Sequence, residues 1–351
     1  MSSGRPTSSR SSTRSGSPVV LRSPGTRRLA GVWFCALLLC ACATPPQTRA
    51  LLAEPQHGLP RAAELTNVPF YPQERYQCGP AALATVLQAQ SIDVTPEELV
   101  SAVYVPALHG SLTEEITAAA RRYGMLAYPL SPSIADLFLE IAHGYPVLIF
   151  QNLGTGWYPL WHFAVVVGYD LTNHEVVLRS GVDRRRRTTL ANLERTWSAG
   201  GNWARVILPA GNIPATARPL PYLQAAHDLE TSGQAAAAHK AYQAATRRWP
   251  DAPRTWLALG NSDYAAADYT AAVAAFRQAV SLAPGDPQGW NNLAYALLRT
   301  SCPVQARIAA GCARQRAPDD PDYQATVAEI TAQAGVRDAP HCASVDCDPS
   351  D

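Results

Sequence analysis

The sequence predicts an α+β domain followed by an all-α domain of short helical repeats, both behind an N-terminal export segment. Between residues 66 and 210 helix-start signals come first and apolar, strand-like runs follow. Helices segregated from mostly antiparallel strands define the α+β class. From Pro221 onward alanine, proline and aromatic residues recur every 34 residues, a period of stacked helical hairpins.

Residues 1–41 read as a signal peptide. They carry six arginines and no acid, and Arg27-Arg28 precede an apolar core from Leu29 to Leu39. A core of about eleven residues is too short to span a bilayer. The long polar stretch before it fits a translation start downstream of Met1. Leu39-Cys40-Ala41-Cys42 resembles the bacterial lipoprotein box. That resemblance implies cleavage before Cys42 and an acyl anchor on its thiol. Ordinary cleavage near Ala43 is the alternative, because Cys40 stands where a small residue is usual. No aspartate follows Cys42, which favours the periplasmic side of the outer membrane within a bacterial cell envelope. The whole chain has 29 basic and 28 acidic residues; without the leader the balance is 23 − 28 = −5. A mildly acidic protein is not expected to have nucleic acid as its main partner.

Residues 42–65 are Pro-rich and without period, so they are expected to form a tether. The ordered domain is expected over 66–210, entered through the extended segment Val68–Gln73. A helix follows from Cys78 to about Gln90, with Leu83, Val86 and Leu87 on its apolar stripe. Thr95-Pro96-Glu97-Glu98 is a capping box opening a helix to about Val103. Ser111-Leu112-Thr113-Glu114 repeats the device before a helix from Ile116 to Tyr123, which Gly124 ends. Leu126–Leu130 reads as a strand, Ser133–His143 as an amphipathic helix and Tyr145–Phe150 as a buried strand. Gly154 and Gly156 mark a turn before the strand headed by His162. Two further strands, Glu175–Arg179 and Trp203–Leu208, flank a helix from Leu190 to Trp197. Arg184–Arg187 reads as a solvated turn, or else as a contact for phospholipid head groups or an acidic substrate tail.

Cys78 is the candidate nucleophile. A helix N-terminus favours the thiolate, so its pKa is expected to be lowered. His162 is the candidate general base, and Gln73 a side-chain amide able to donate to an oxyanion. Gln77, beside the cysteine, is the second candidate for that role. Taken alone, a cysteine at a helix start is often a small buried hydrophobe. Together, Gln73, Cys78-Gly79 and His162 before Phe163-Ala164-Val165-Val166-Val167-Gly168-Tyr169 resemble a papain-like cysteine peptidase of the bacteriocin-processing (double-glycine leader) family and its relatives. The resemblance implies a cysteine helix packed on a sheet that carries the histidine. It also implies an aspartate at the end of the next strand, where this chain reads Leu178-Arg179-Ser180-Gly181. Ser180 takes that place by position, with Asp183 as the substitute; Asp170 ends the histidine strand itself.

After a linker at 211–220, repeats are expected over 221–336. Tyr222, Trp256 and Trp290 are in phase, as are Ala238, Ala272 and Ala306; Ala245, Ala279 and Ala313; and Pro250, Pro284 and Pro318. Trp256-Leu257-Ala258-Leu259-Gly260 with Ala272, Phe276, Ala279 and Pro284 resembles the tetratricopeptide consensus. Residues Asp322–Gly335 would cap the stack. Beyond Cys35, Cys40, Cys42 and Cys78 stand Cys302, Cys312, Cys342 and Cys347, the last two in a tail at 337–351. In an oxidising compartment they are expected to form two disulfides, with Cys342–Cys347 and Cys302–Cys312 open as pairings. No metal-type double pair is present and no cofactor is expected.

The expected function is a membrane-anchored cysteine peptidase whose repeats bind a protein partner. A papain-like domain that no longer cleaves is the alternative, as is a cell-wall amidase or transpeptidase on the same fold.

Overall fold

The computed structural model describes residues 44–53, 58–72, 77–108, 110–333 and 337–347. The leader, Cys42 and Gln73 lie outside the described residues.

The first domain is built on a seven-stranded sheet of β1 (Ala62–Glu64), β4 (Met125–Pro129), β5 (Val147–Asn152), β6 (Trp161–Asp170), β7 (Glu175–Ser180), β8 (Asp183–Thr189) and β9 (Ala204–Pro209). The order is β4-β9-β5-β6-β7-β8, with β1 paired to β6, and every pairing is antiparallel. Strand alternation sorts the core into two layers. Phe163, Val165 and Val167 of β6 pack with Leu83, Leu87, Leu99 and Ile116 from α2 (Cys78–Ala89), α3 (Pro96–Val103) and α4 (Thr113–Arg122). Ala164 and Val166 face the other way, onto α5 (Ile134–Ala142) and α6 (Leu190–Ala199).

Local chemistry explains where these helices start. Thr95 and Glu98 cap α3 reciprocally, and the hydroxyls of Ser133 and Thr189 accept from the first turns of α5 and α6. The second expected capping device does not form. Leu112 stands at the start of α4, and Ser111 belongs instead to the hairpin of β2 (Tyr104–Val105) and β3 (Gly110–Ser111). That hairpin lies on the start of α2: a Cβ at Gly79 would sit 2.2 Å from the Ser111 hydroxyl. Tertiary packing has outbid the cap.

Two stretches expected to be irregular are ordered. Within 42–65, α1 (Pro46–Ala53) forms because the buried Glu194 carboxylate accepts from the Gln47 and Thr48 amides and the Thr48 hydroxyl. A carboxylate at a helix N-terminus satisfies orphan donors and opposes the helix dipole. Leu51 then buries in the sheet core. Arg184–Arg187 is strand β8, not a turn. Arg185 pairs with Glu64 and Arg187 with Glu175 on one face of this edge strand. Charged edges of this kind resist pairing with another chain.

The repeats are α7 (Pro219–Thr231) with α8 (Ala235–Arg248), α9 (Pro253–Ala265) with α10 (Tyr269–Leu282), α11 (Pro287–Arg299) with α12 (Pro303–Arg316), and α13 (Pro321–Gln333). Ala238, Ala272 and Ala306 are wholly buried, where small side chains let helices approach. Trp256 and Trp290 each donate an indole N–H to the carbonyl of the proline six residues earlier, at 2.7 and 2.8 Å. Tyr222 departs from this pattern and bonds Ala210 and Asn212 instead. The first hairpin is therefore welded to the sheet: Tyr222, Ala225 and Leu229 share one core with Leu126, Tyr128 and Leu208. Residues 211–220 are held too, since Glu140 accepts from Ala215, Thr216 and the Thr216 hydroxyl.

Two disulfides join the repeats to the tail, as Cys302–Cys342 and Cys312–Cys347. Both pairings differ from those open in the sequence, because the tail folds back along α12.

Candidate active site

Cys78 is the first residue of α2, and Gln77 before it makes no side-chain cap. The amides of Cys78 and Gly79 are thereby left to the sulfur, and the Phe163 amide donates to it from β6. The thiol lies against the peptide that joins His162 to Phe163. Antiparallel register places His162 opposite Gln151, whose side chain is occupied with Thr196 of α6. The imidazole Nε2 is 2.9 Å from the Ser180 hydroxyl at the end of β7. From three elements, the thiol thus meets the backbone next to His162 and the His162 ring meets Ser180.

The electrostatics run against the expectation of a lowered thiol pKa. Burial pushes the Cys78 thiol up, and the three amides offset this only in part. Burial, with the positive charge of Arg186, holds His162 down at about 4. At neutral pH the thiol and the imidazole are both neutral. The reason is the desolvation of both groups, which disfavours either charged form.

The other candidates fall elsewhere. Asp183 is exposed at the start of β8, opposite Ser180 in register, and the imidazole's hydrogen bond goes to Ser180. Asp170 lies at the far end of β6 and accepts from Thr172 and Asn173. Gln77 is half-buried beside the thiol.

Sequence reasoning missed Arg179, which is 3 % exposed. Its guanidinium donates to the carbonyls of Leu65, Thr66, Val68 and Arg184. It pins the segment leading toward Cys78 to the residue before Ser180. An arginine inside the apolar run Val176-Val177-Leu178-Arg179 was a visible signal for a buried, carbonyl-bonded cation. The Ser111 hydroxyl, buried against Gly79 without a partner, was also missed. Among the described residues, Cys302, His341 and Cys342 bring metal-type ligand atoms together. Two of those atoms are the sulfurs of one disulfide.

Residues 65–204 match the Peptidase_C39 like family, and residues 223–287 and 257–321 match the tetratricopeptide repeat. No curated protein matches the chain. Among solved structures, a C39-like peptidase from Bacillus anthracis is 20 % identical, covering 42 % of this chain and 98 % of its own, with a TM-score of 0.34. The peptidase domain of Streptococcus ComA, a bi-functional ABC transporter involved in a quorum sensing pathway, is 19 % identical. It covers 41 % of this chain and 99 % of its own, with a TM-score of 0.34. The Yersinia enterocolitica type III secretion translocator chaperone SycD is 19 % identical, covering 33 % and 87 %, with a TM-score of 0.30.

Proposed function

Given that residues 65–204 form a C39-like peptidase domain and residues 223–321 tetratricopeptide repeats, we propose that this protein is a cysteine peptidase whose repeats hold a protein partner. Cys78 is the nucleophile, His162 the general base and Ser180 the residue that orients the imidazole. The observation that carries this reading is the Nε2–Ser180 hydrogen bond of 2.9 Å beside a thiol seated on three amides.

Because both groups rest neutral, proton transfer accompanies attack. His162 takes the thiol proton as the sulfur adds to the scissile carbonyl carbon. The amides of Cys78 and Gly79 are placed at the sulfur, where a developing oxyanion can be met, with Gln73 or Gln77 as side-chain donors. On collapse the C–N bond breaks and the amine leaves with the proton from the imidazolium. Water, deprotonated by His162, then adds to the thioester and releases the acid and the free thiol.

Ser180 accepts or donates a hydrogen bond but adds no negative charge. This favours a second reading, a domain that binds peptides without cutting them. Cys78→Ala and His162→Ala decide between the two. Peptide turnover by the wild type that is lost in both variants supports the peptidase, with labelling by iodoacetamide-type probes lost in Cys78→Ala and retained in Cys302→Ala/Cys342→Ala, where the disulfide is removed whole. Absence of turnover in the wild type, with peptide binding intact in His162→Ala, supports the binding domain.

Acylation of Cys42 and residence on the periplasmic side of the outer membrane remain part of the proposal. Mass spectrometry of the purified protein tests the acyl group, and a Cys42→Ser variant should lose it.

A further inference from the structure

The loop between β5 and β6 has no place in the chemistry above. Trp157 is 91 % exposed, Tyr158 84 %, Leu160 61 % and Trp161 51 %, and residues 153–161 contain no charged side chain. A concentration of large apolar groups at one place on a surface marks contact with a partner. The degree of exposure discriminates between partners. Side chains that line a peptide groove share their surface with its walls, whereas Trp157 and Tyr158 stand almost free of the fold. A projecting tip of tryptophan, tyrosine and leucine suits a fluid interface that closes around it, and tryptophan and tyrosine concentrate at membrane–water boundaries.

Topology adds a second apolar tip and a charge. β5 ends at Asn152, β6 begins at Trp161, β7 ends at Ser180 and β8 begins at Asp183, so both connections lie at one end of the antiparallel sheet. Val182, 75 % exposed, caps the β7–β8 turn. Beside it Arg184 and Arg186 are exposed and lie on the face of β8 away from the Arg185–Glu64 and Arg187–Glu175 pairs. Asp183 is the one acid of that strand. A third observation concerns where the chain joins the fold. His162 opposes Gln151, Gln151 bonds Thr196, and Glu194 two residues earlier holds Gln47 and Thr48 at the start of α1.

We propose that this end of the sheet is a lipid-facing surface, with the β5–β6 loop entering the interface of an anionic bilayer and Arg184 and Arg186 meeting its head groups. The candidate active site then opens beside the membrane surface. Exposure, topology and charge define this surface without peptidase activity or acylation of Cys42.

The test uses the chain from residue 42 onward carrying Cys42→Ser, so that neither the leader nor an acyl group can hold it to lipid. Sedimentation is measured with phosphatidylcholine vesicles, with and without phosphatidylglycerol. Binding to the anionic vesicles is expected, with at least about a tenfold loss in Trp157→Ser/Tyr158→Ser. A smaller loss is expected in Arg184→Gln/Arg186→Gln, and none in Leu220→Ser, an exposed leucine on α7. Quenching of tryptophan fluorescence by brominated lipid, read on the chain with an intact loop, supports insertion without relying on a loop variant. Absence of binding, or binding that survives loss of the loop aromatics, overturns the proposal. So does a loop variant that keeps its vesicle affinity but raises KM for peptides in the absence of lipid, which would assign the loop to an apolar polypeptide.

Discussion

Replacing Ser180 by aspartate tests what governs the imidazole. In the wild type, burial and Arg186 hold His162 at about 4 against an ordinary 6.5. That gap amounts to about 3 kcal/mol at roughly 1.4 kcal/mol per pH unit. Ser180 sits 2.9 Å from Nε2 and is 2 % exposed, so a carboxylate at this position would reach the same nitrogen out of water. At ~4 Å and an effective dielectric of ~20 its attraction for the imidazolium is about 4 kcal/mol. Part of this is lost in desolvating the carboxylate and in fitting a larger side chain. The remainder is enough to bring His162 back toward its ordinary value and to stabilise a thiolate beside it. The assay is nitrogen-15 NMR of the imidazole across the acid and neutral range, with Cys78 alkylation rates on the same samples. The wild type should alkylate faster continuously as pH rises, because its thiol stays protonated past the usual range. Ser180→Asp should gain a plateau of alkylation at neutral pH. A His162 that titrates at about 4 in both proteins, or at its ordinary value in the wild type, would refute the reasoning.

Acid should weaken the fold through the same histidine. The unfolded chain binds its proton near 6.5 and the folded chain only near 4, so stability falls as pH drops through that window and levels off below it. The loss is about 3 kcal/mol, read by urea unfolding, and His162→Leu should flatten that part of the profile. Gly79→Ala would drive a methyl group into Ser111; a cost of about 1–3 kcal/mol is expected in denaturant melts. Its companion Gly79→Ala/Ser111→Gly should recover most of that cost. Removing the Cys302–Cys342 disulfide, which spans 40 residues, should cost about 4 kcal/mol by chain entropy. Thermal melts of Cys302→Ser/Cys342→Ser should show the loss in the repeats, while labelling of Cys78 continues.

Short-range chemistry made much of this protein readable from its residues. The Thr95–Glu98 box, the Ser133 cap and the 34-residue spacing of Trp256 and Trp290 act within one turn or one hairpin, so their partners lie nearby in the chain. Cys78 and His162 were visible because a helix start and an apolar strand each mark themselves locally. Only the folded chain decided the rest. It gave the ring's hydrogen bond to Ser180, the residue that position had put first, because a β-bulge between Leu178 and Ser180 and the register of β7 on β6 set what reaches the ring. It reversed the direction of the Cys78 shift, since desolvation depends on everything packed around the thiol while the helix dipole is written in a few residues. It also docked α1 through a glutamate 146 residues away from Thr48 and paired each tail cysteine with the repeats. Hydrogen bonds and burial between distant segments leave no periodic trace, and so they belong to the tertiary structure alone.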